Sequence, residues 1–248
     1  GASDAFRYGL DLMYDDQEGV MKGQNRKKMS AALNLQYQYK GLTFRNQMTT
    51  TLVNSQESPY GTFSDYVRMN PYDTYLDENG NIGMNMATWH SGSPYRNPMY
   101  DATLGSFDKG KRHEFYDQFD VRYYLNKKIN FKANVALGYI VSDSDKFTDP
   151  AAAKFQSTEK KGQLTTSRQK QSTYDISLNG YYNDQIGRHN INFVVGLNIR
   201  EEKTNYEGFT YSGFPEGGFS APGYAKDIDT KSYLEGKNRL FGALAVLN

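Results

Sequence analysis

The sequence predicts an all-β fold. About eight antiparallel, up-and-down strands are expected to form part of a large transmembrane β-barrel with long extracellular loops. Three observations predict it: apolar residues recur with period two, the connections alternate between short and long, and aromatic residues gather near strand ends.

The alternation is clearest in four segments. From Ile129, one face reads Ile129, Phe131, Ala133, Val135, Leu137, Tyr139, Val141, against Asn130, Lys132, Asn134, Ala136, Gly138, Ile140, Ser142. From Ile191, one face is Ile191, Phe193, Val195, Leu197, Ile199. Met29, Ala31, Leu33, Leu35, Tyr37, Tyr39 and Tyr174, Ile176, Leu178, Gly180, Tyr182 follow the same rule. Weaker versions lie at Phe6–Tyr14, Leu42–Leu52 and Phe115–Leu125, and Leu240–Leu247 is a last apolar stretch. The expected strands are near 4–16, 26–39, 42–56, 113–125, 129–142, 170–182, 190–204 and 238–247.

Residues 40–41, 126–128 and 183–189 read as tight turns. Residues 17–25, 57–112, 143–169 and 205–237 read as longer loops, about half of the chain, all at one end of the sheet. A soluble sandwich has no reason to place its length on one side, whereas a membrane barrel has short periplasmic turns and long outer loops. Aromatics flank the short turns (Tyr37, Tyr39, Phe44, Tyr123, Phe131, Tyr182, Phe193) and the long loops (Tyr14, Phe115, Tyr139, Tyr174). Such bands match interfacial girdles, where a ring prefers lipid and a hydroxyl prefers water. In the barrel, Leu33, Leu35, Val135, Leu137, Val195 and Leu197 face lipid; in a sandwich they pack against a second sheet.

Composition fits the barrel once both wet surfaces are counted. Mean hydropathy is −0.78, because loops and lumen-facing positions are polar. The 248 residues include 29 Lys+Arg and 28 Asp+Glu, a net charge of +1 that argues against a nucleic-acid partner. No apolar run is long enough for a transmembrane helix. The absence of cysteine excludes disulfides, thiolate metal sites and Cys nucleophiles. No pattern of a signal peptide is visible at the first residues.

A search for chemistry returns little. His90, His113 and His189 share no metal spacing. No nucleophile elbow, phosphate loop or dinucleotide fingerprint occurs, and Gly213–Gly218 does not join a strand to a helix. Asp77–Asn81 departs from a calcium loop and reads as a turn; Ser142–Asp145 reads as a solvated loop. Asp149-Pro150 before Ala151–Phe155 has the form of a helix start. Asp117 and Asp120 fall on opposite faces of one strand, which disfavours a carboxylate dyad. No catalytic residue, cofactor site or metal site is assigned, and the chain is expected not to be an enzyme. In the longest loop, Trp89, Tyr95, Arg96, Asn97 and Tyr100 offer aromatic faces with amide and guanidinium groups that suit a sugar or a peptide.

The block Ser58–Tyr72 (SPYGTFSDYVRMNPY) resembles a stretch of the SusC/RagA family of TonB-linked outer-membrane transporters of Bacteroidetes. Asp77–Gly80 (DENG) and Asn97–Ala102 (NPMYDA) resemble the same family, in the same order. The resemblance implies a 22-stranded barrel filled by a plug. At the strand spacing of this chain, such a barrel needs about 680 residues. Residues 1–248 are then expected to be a partial barrel domain without the plug, with open sheet edges. The resemblance further implies a SusD-like surface lipoprotein as lid, TonB acting through the missing plug, outer-membrane lipid around the wall, and an oligosaccharide or peptide as substrate. The loops 57–112, 143–169 and 205–237 would face lid and substrate. The alternative is a soluble all-β carbohydrate-binding module; a carbohydrate-active enzyme has little support.

Overall fold

The computed structural model describes residues 5–87 and 95–248. Its main feature is one antiparallel sheet of eight strands. The strands are β1 (Phe6–Glu18), β2 (Asn25–Tyr39), β3 (Leu42–Gln56), β6 (Phe107–Tyr124), β7 (Ile129–Thr148), β8 (Gln163–Ile186), β9 (His189–Ser212) and β10 (Asp227–Leu247). They lie side by side in that order. Two short strands, β4 (Thr74–Leu76) and β5 (Ile82–Ala87), form a separate hairpin inside the long connection between β3 and β6. A five-residue helix α1 (Phe63–Val67) and three single 3-10 turns complete the chain.

The register places the alternation as expected. Leu35, Asn46, Phe119, Val135, Ile176, Ile199 and Phe241 form one cross-strand row. Leu33, Met48, Asp117, Leu137 and Tyr174 form the next. On this face, each strand carries an apolar run, broken in β3 and β6 by Asn46, Thr50, Asp117 and His113, between an aromatic or aliphatic residue near the short turn and a charged or amide residue beyond its far end: Asp16, Lys27, Asn54, Lys111, Asp143, Lys170, Glu201 and Arg239. The run covers roughly the 9–11 residues that a tilted strand needs to cross a bilayer. Every aromatic assigned to the two girdles lies on this same face. The opposite face is polar, with rows such as Arg7, Gln36, Arg45, Asp120, Asn134, Ser177, Asn198.

Nothing among the described residues covers the apolar face. Leu12 is 75% exposed, Leu197 45% and Phe241 67%. The buried apolar side chains are Met86, Phe147, Ala152, Phe155, Leu164 and Phe214, all in or beside the connections. A soluble domain of this length buries a sizeable core; this sheet is a single layer. Phe147, Leu164 and Phe214, backed by Phe107 and Tyr211, hold the loop ends together instead.

Several boundaries differ from expectation. β7, β8, β9 and β10 are 20, 24, 24 and 21 residues long, so the loops expected at 143–169 and 205–237 shrink to 149–162 and 213–226. The long connection is 57–106. Apart from the cross-strand row Phe107, Phe147, Leu164, Tyr211 at their tips, the strand ends beyond the apolar band are mostly polar, and alternation fades where both sides are wet. Ser142–Asp145 is therefore strand, and Asp143 accepts from Arg168 Nε at 2.6 Å. The turn expected at 183–189 tightens to Gly187-Arg188, with Gly187 at φ 62°, a conformation that favours glycine. The helix start at Asp149 yields a single turn, Ala153–Phe155. There Gly162 sits at φ +75°, and a Cβ would lie 2.8 Å from Phe214 Cβ and 2.9 Å from Pro150 Cγ. An added methyl would part the two loops.

Candidate functional site

The long connection between β3 and β6 folds into a cleft at the loop end of the sheet. Its entry is pinned to the β1–β2 loop: Gln24 Nε2 donates to Glu57 Oε2 at 2.8 Å, and Ser58 Oγ donates to the Lys22 carbonyl at 2.8 Å. The Tyr60 amide donates to Ser58 Oγ at 3.1 Å, and Tyr66 Oη to the Tyr60 carbonyl at 2.8 Å. α1 begins where Asp65 Oδ2 accepts from the Thr62 amide (3.0 Å) and the Thr62 hydroxyl (2.8 Å). These bonds, the hydroxyl first, hold the Asp65 carboxyl below its ordinary range. Serine, threonine, aspartate and tyrosine in the Ser58–Tyr72 block thus do local bonding that fixes the backbone path.

Asp77–Asn81 is a turn. Asp77 Oδ1 accepts from the amides of Asn79 (2.9 Å) and Asn81 (2.8 Å), and Gly80 takes φ +79°. Asn97 is fully buried. Its Nδ2 donates to the carbonyls of Tyr75 (2.9 Å) and Gly83 (2.8 Å), and its Oδ1 accepts from the Met99 amide (3.1 Å). One side chain therefore ties the β4–β5 hairpin to the returning chain. Asn97→Ala orphans two carbonyls at a cost of about 2–4 kcal/mol to the loop. Limited proteolysis should show at least tenfold faster nicking within residues 70–100, with the eight-stranded sheet intact; unchanged nicking contradicts the role.

The other candidate residues divide. Tyr95 is partly exposed; its hydroxyl donates to Asp73 Oδ2 at 2.9 Å and its carbonyl accepts from the Met86 amide at 2.8 Å. Arg96 pairs with Asp101, whose other oxygen accepts from the Ala153 amide at 3.0 Å. The guanidinium is half exposed and lines the cleft. Tyr100 is half-buried and opens the 3-10 turn Asp101–Thr103, its carbonyl accepting from Thr103 Oγ1 at 2.7 Å. Trp89 and His90 lie outside the described residues. Arg96 and Tyr95 line the cleft; Asn97 and Tyr100 do not.

The cleft has a volume of about 760 Å³. Arg68, Arg96 and Lys146 alternate around it with Glu57, Asp65, Asp101 and Asp108, and Tyr60 and Tyr95 contribute ring faces. Lys146 Nζ lies 3.1 Å from Asp108 Oδ2 across the top of the β6–β7 pair. The sequence alone does not mark Arg68, Asp65 and Lys146, because charged residues are ordinary in loops and only the fold brings these together. No catalytic geometry accompanies them. Asp117 and Asp120 project from opposite faces of β6. His113 Nε2 lies 3.2 Å from Thr50 Oγ1 on the outer face, far along the chain from His189 in the β8–β9 hairpin. Among the described residues, no group of three His, Asp or Glu is placed to hold a metal.

No family model and no curated protein matches the chain. Solved structures do. The RagAB peptide transporter superposes with TM-score 0.77 over 99% of this chain at 16% identity. The RagAB peptide importer in its "open-open" state gives 0.75 over 100% at 18% identity. The ferric-catecholate import receptor Fiu of E. coli K12 in its open form gives 0.55 over 99% at 10% identity. This chain spans 28%, 28% and 38% of those chains respectively. An open single-layer sheet with one apolar face thus matches a sector of larger structures: in fold the chain is similar to about a quarter of the RagAB transporter chain and to more than a third of the ferric-catecholate receptor.

Proposed function

We propose that residues 1–248 are a partial barrel domain, without plug, of an outer-membrane importer that takes up a polar oligomer, glycan or peptide. One observation carries the reading: an eight-stranded sheet has one uncovered apolar face, closed above and below by rings and charges, and its other face is polar. Lipid covers the first face and an aqueous lumen the second. The chain performs no catalysis of its own. The cleft lined by Tyr95 and Arg96, with Trp89 and Tyr100 nearby in sequence, is the contact region for substrate or for a SusD-like lipoprotein lid. Asn97 serves it from within by holding the loop. TonB acts on a part of the protein outside these residues. The mixed charge of the cleft favours a ligand carrying both signs, as a peptide does, over a neutral glycan.

The test is genetic and chemical together. Cells lacking the full-length gene are compared with the parent during growth on oligopeptides or on oligosaccharides as sole source, alongside fractionation of the full-length protein. The reading expects outer-membrane recovery in detergent and loss of growth on one substrate class. Recovery in the soluble fraction, with growth unchanged on both, would overturn it.

A further inference from the structure

On the outward face, the strand extensions just beyond the apolar band differ between the two sides of the sheet. In β8, β9 and β10 the band stops at Tyr174, Ile199 and Phe241. The next outward positions carry four cations, Lys170, Lys203, Lys237 and Arg239, and two carboxylates, Glu201 and Glu235. The neighbouring positions of β7 are Leu137, Tyr139 and Val141, which carry no charge. In the row beyond, Arg168 stands between Asp143 and Glu207 and adds no surplus. Across β1 to β7, the charges that follow the band are Lys27, Lys109 and Lys111 against Asp16, Glu18, Asp143 and Asp145. The positive surplus is therefore confined to β8–β10. Its two carboxylates are already engaged: Glu201 accepts from Lys237 Nζ at 3.1 Å and from Arg239, and Glu235 accepts from Lys203 Nζ at 2.9 Å. Lys170 is exposed and forms no ion pair among the described residues. Lys203 and Lys237 stand directly opposite each other, and like charges so placed destabilise an antiparallel pair. Asn205, across from Lys170 on one side and Glu235 on the other, holds a side-chain oxygen buried without a donor, a costly arrangement.

We infer that this patch binds the head group of a phosphorylated glycolipid of the outer leaflet, whose acyl chains lie along Ile176, Ile199 and Phe241. The inference rests on the barrel reading given above. Height selects a lipid. At about 3.3 Å per residue and a strand tilt of about 45°, the four cations lie about 5–9 Å beyond the last apolar residue. That is the level of the head groups flanking a hydrocarbon core of about 30 Å. Charge selects phosphate. The four cations exceed Glu201 and Glu235, and a phosphate between Lys203 and Lys237 offsets their repulsion with charge-assisted hydrogen bonds. Sugar hydroxyls beside the phosphate supply the kind of donor that Asn205 Oδ1 lacks. Directly below, the row Val135, Ile176, Ile199, Phe241 is apolar throughout, so head group and chains meet one continuous surface.

The probe is monophosphoryl lipid A, with the same lipid after removal of its phosphate as the reference. Full-length protein is stripped of native lipid in detergent and mixed with each lipid, and retained lipid is counted by native mass spectrometry. Wild type should retain the phosphorylated form at least about fivefold more than the reference. Lys170→Gln/Lys203→Gln/Lys237→Gln should lose that preference, and Lys27→Gln/Lys109→Gln/Lys111→Gln, on the balanced side, should keep it. Lys170→Gln alone breaks no ion pair and should lower the preference about twofold even if the triple variant fails to fold. Equal retention of the two lipids, or equal loss in both triple variants, would overturn the inference. Displacement of the lipid by excess inorganic phosphate would overturn it too, by assigning the patch to a free anion. So would a carbodiimide cross-link from Lys170 to another protein in native membranes, which assigns it to a protein partner. The barrel reading fails separately. A full-length protein that dissolves without detergent and retains neither lipid contradicts that reading, whereas one that needs detergent and holds both lipids alike contradicts only the patch.

Discussion

Asn46→Leu should destabilise the β3–β6 seam by about 2–4 kcal/mol in lipid, and the double variant Asn46→Leu/Asp117→Leu should recover wild-type stability or exceed it. The reason lies in where these two side chains sit. Asn46 belongs to the cross-strand row of Leu35, Phe119 and Val135, and Asp117 to the row of Leu33, Met48 and Leu137. Both rows face outward. Asn46 is nearly buried, packed beside the edge-to-face pair of Phe44 and Phe119. Its Nδ2 donates to Asp117 Oδ1 and reaches the Gln118 carbonyl at 3.4 Å. The carboxylate therefore has one strong donor in an apolar surround. Removing that donor leaves an acceptor with no water nearby, which costs more than removing both groups. Asp117→Leu alone should cost less, about 1 kcal/mol, because the amide keeps a carbonyl partner. Urea unfolding of the full-length protein in lipid vesicles measures all three. Equal losses for the two single variants, added in the double, would contradict the account.

The second large effect separates the two faces directly. Val135→Arg places a guanidinium in the middle of the outward apolar band and should cost about 2–4 kcal/mol in the same assay. Ala136→Arg, one residue along, projects to the polar face opposite Asp175 and should cost less than about 1 kcal/mol. The inequality follows from the solvent of each face. A soluble sheet would penalise Val135→Arg only in proportion to its own packing, and the loss would persist in plain buffer.

The strand rhythm was readable because period-two alternation survives wherever one side of a strand is apolar and the other wet. Val135 and Leu137 against Asn134 and Ala136 is such a case, and the register puts them where the alternation says. The rhythm fails above the band. Gln163–Thr173 is polar at almost every position, so a pattern reading ends the strand early although the backbone pairing continues with β7 and β9. Of the loop residues, Asn97 was legible as part of a recognisable block, but its buried bonds to Tyr75 and Gly83 depend on a hairpin that the pattern did not show. The cleft charges Asp65 and Arg68 come from α1 and its end, and Lys146 from β7 some eighty residues on, and only the folded connection brings them together.

The central claim is that odd positions of β7 face lipid and even ones face water. The 248 residues contain no cysteine, so single cysteines can be placed at 131–139 and labelled with an environment-sensitive fluorophore in the full-length protein, freed of any cysteine elsewhere and reconstituted in vesicles. The account predicts that labels at 131, 133, 135, 137 and 139 are quenched by nitroxide lipids and spared by aqueous iodide, with the reverse at 132, 134, 136 and 138. Labels that show no alternation, or odd positions quenched by iodide and not by lipid, would contradict it.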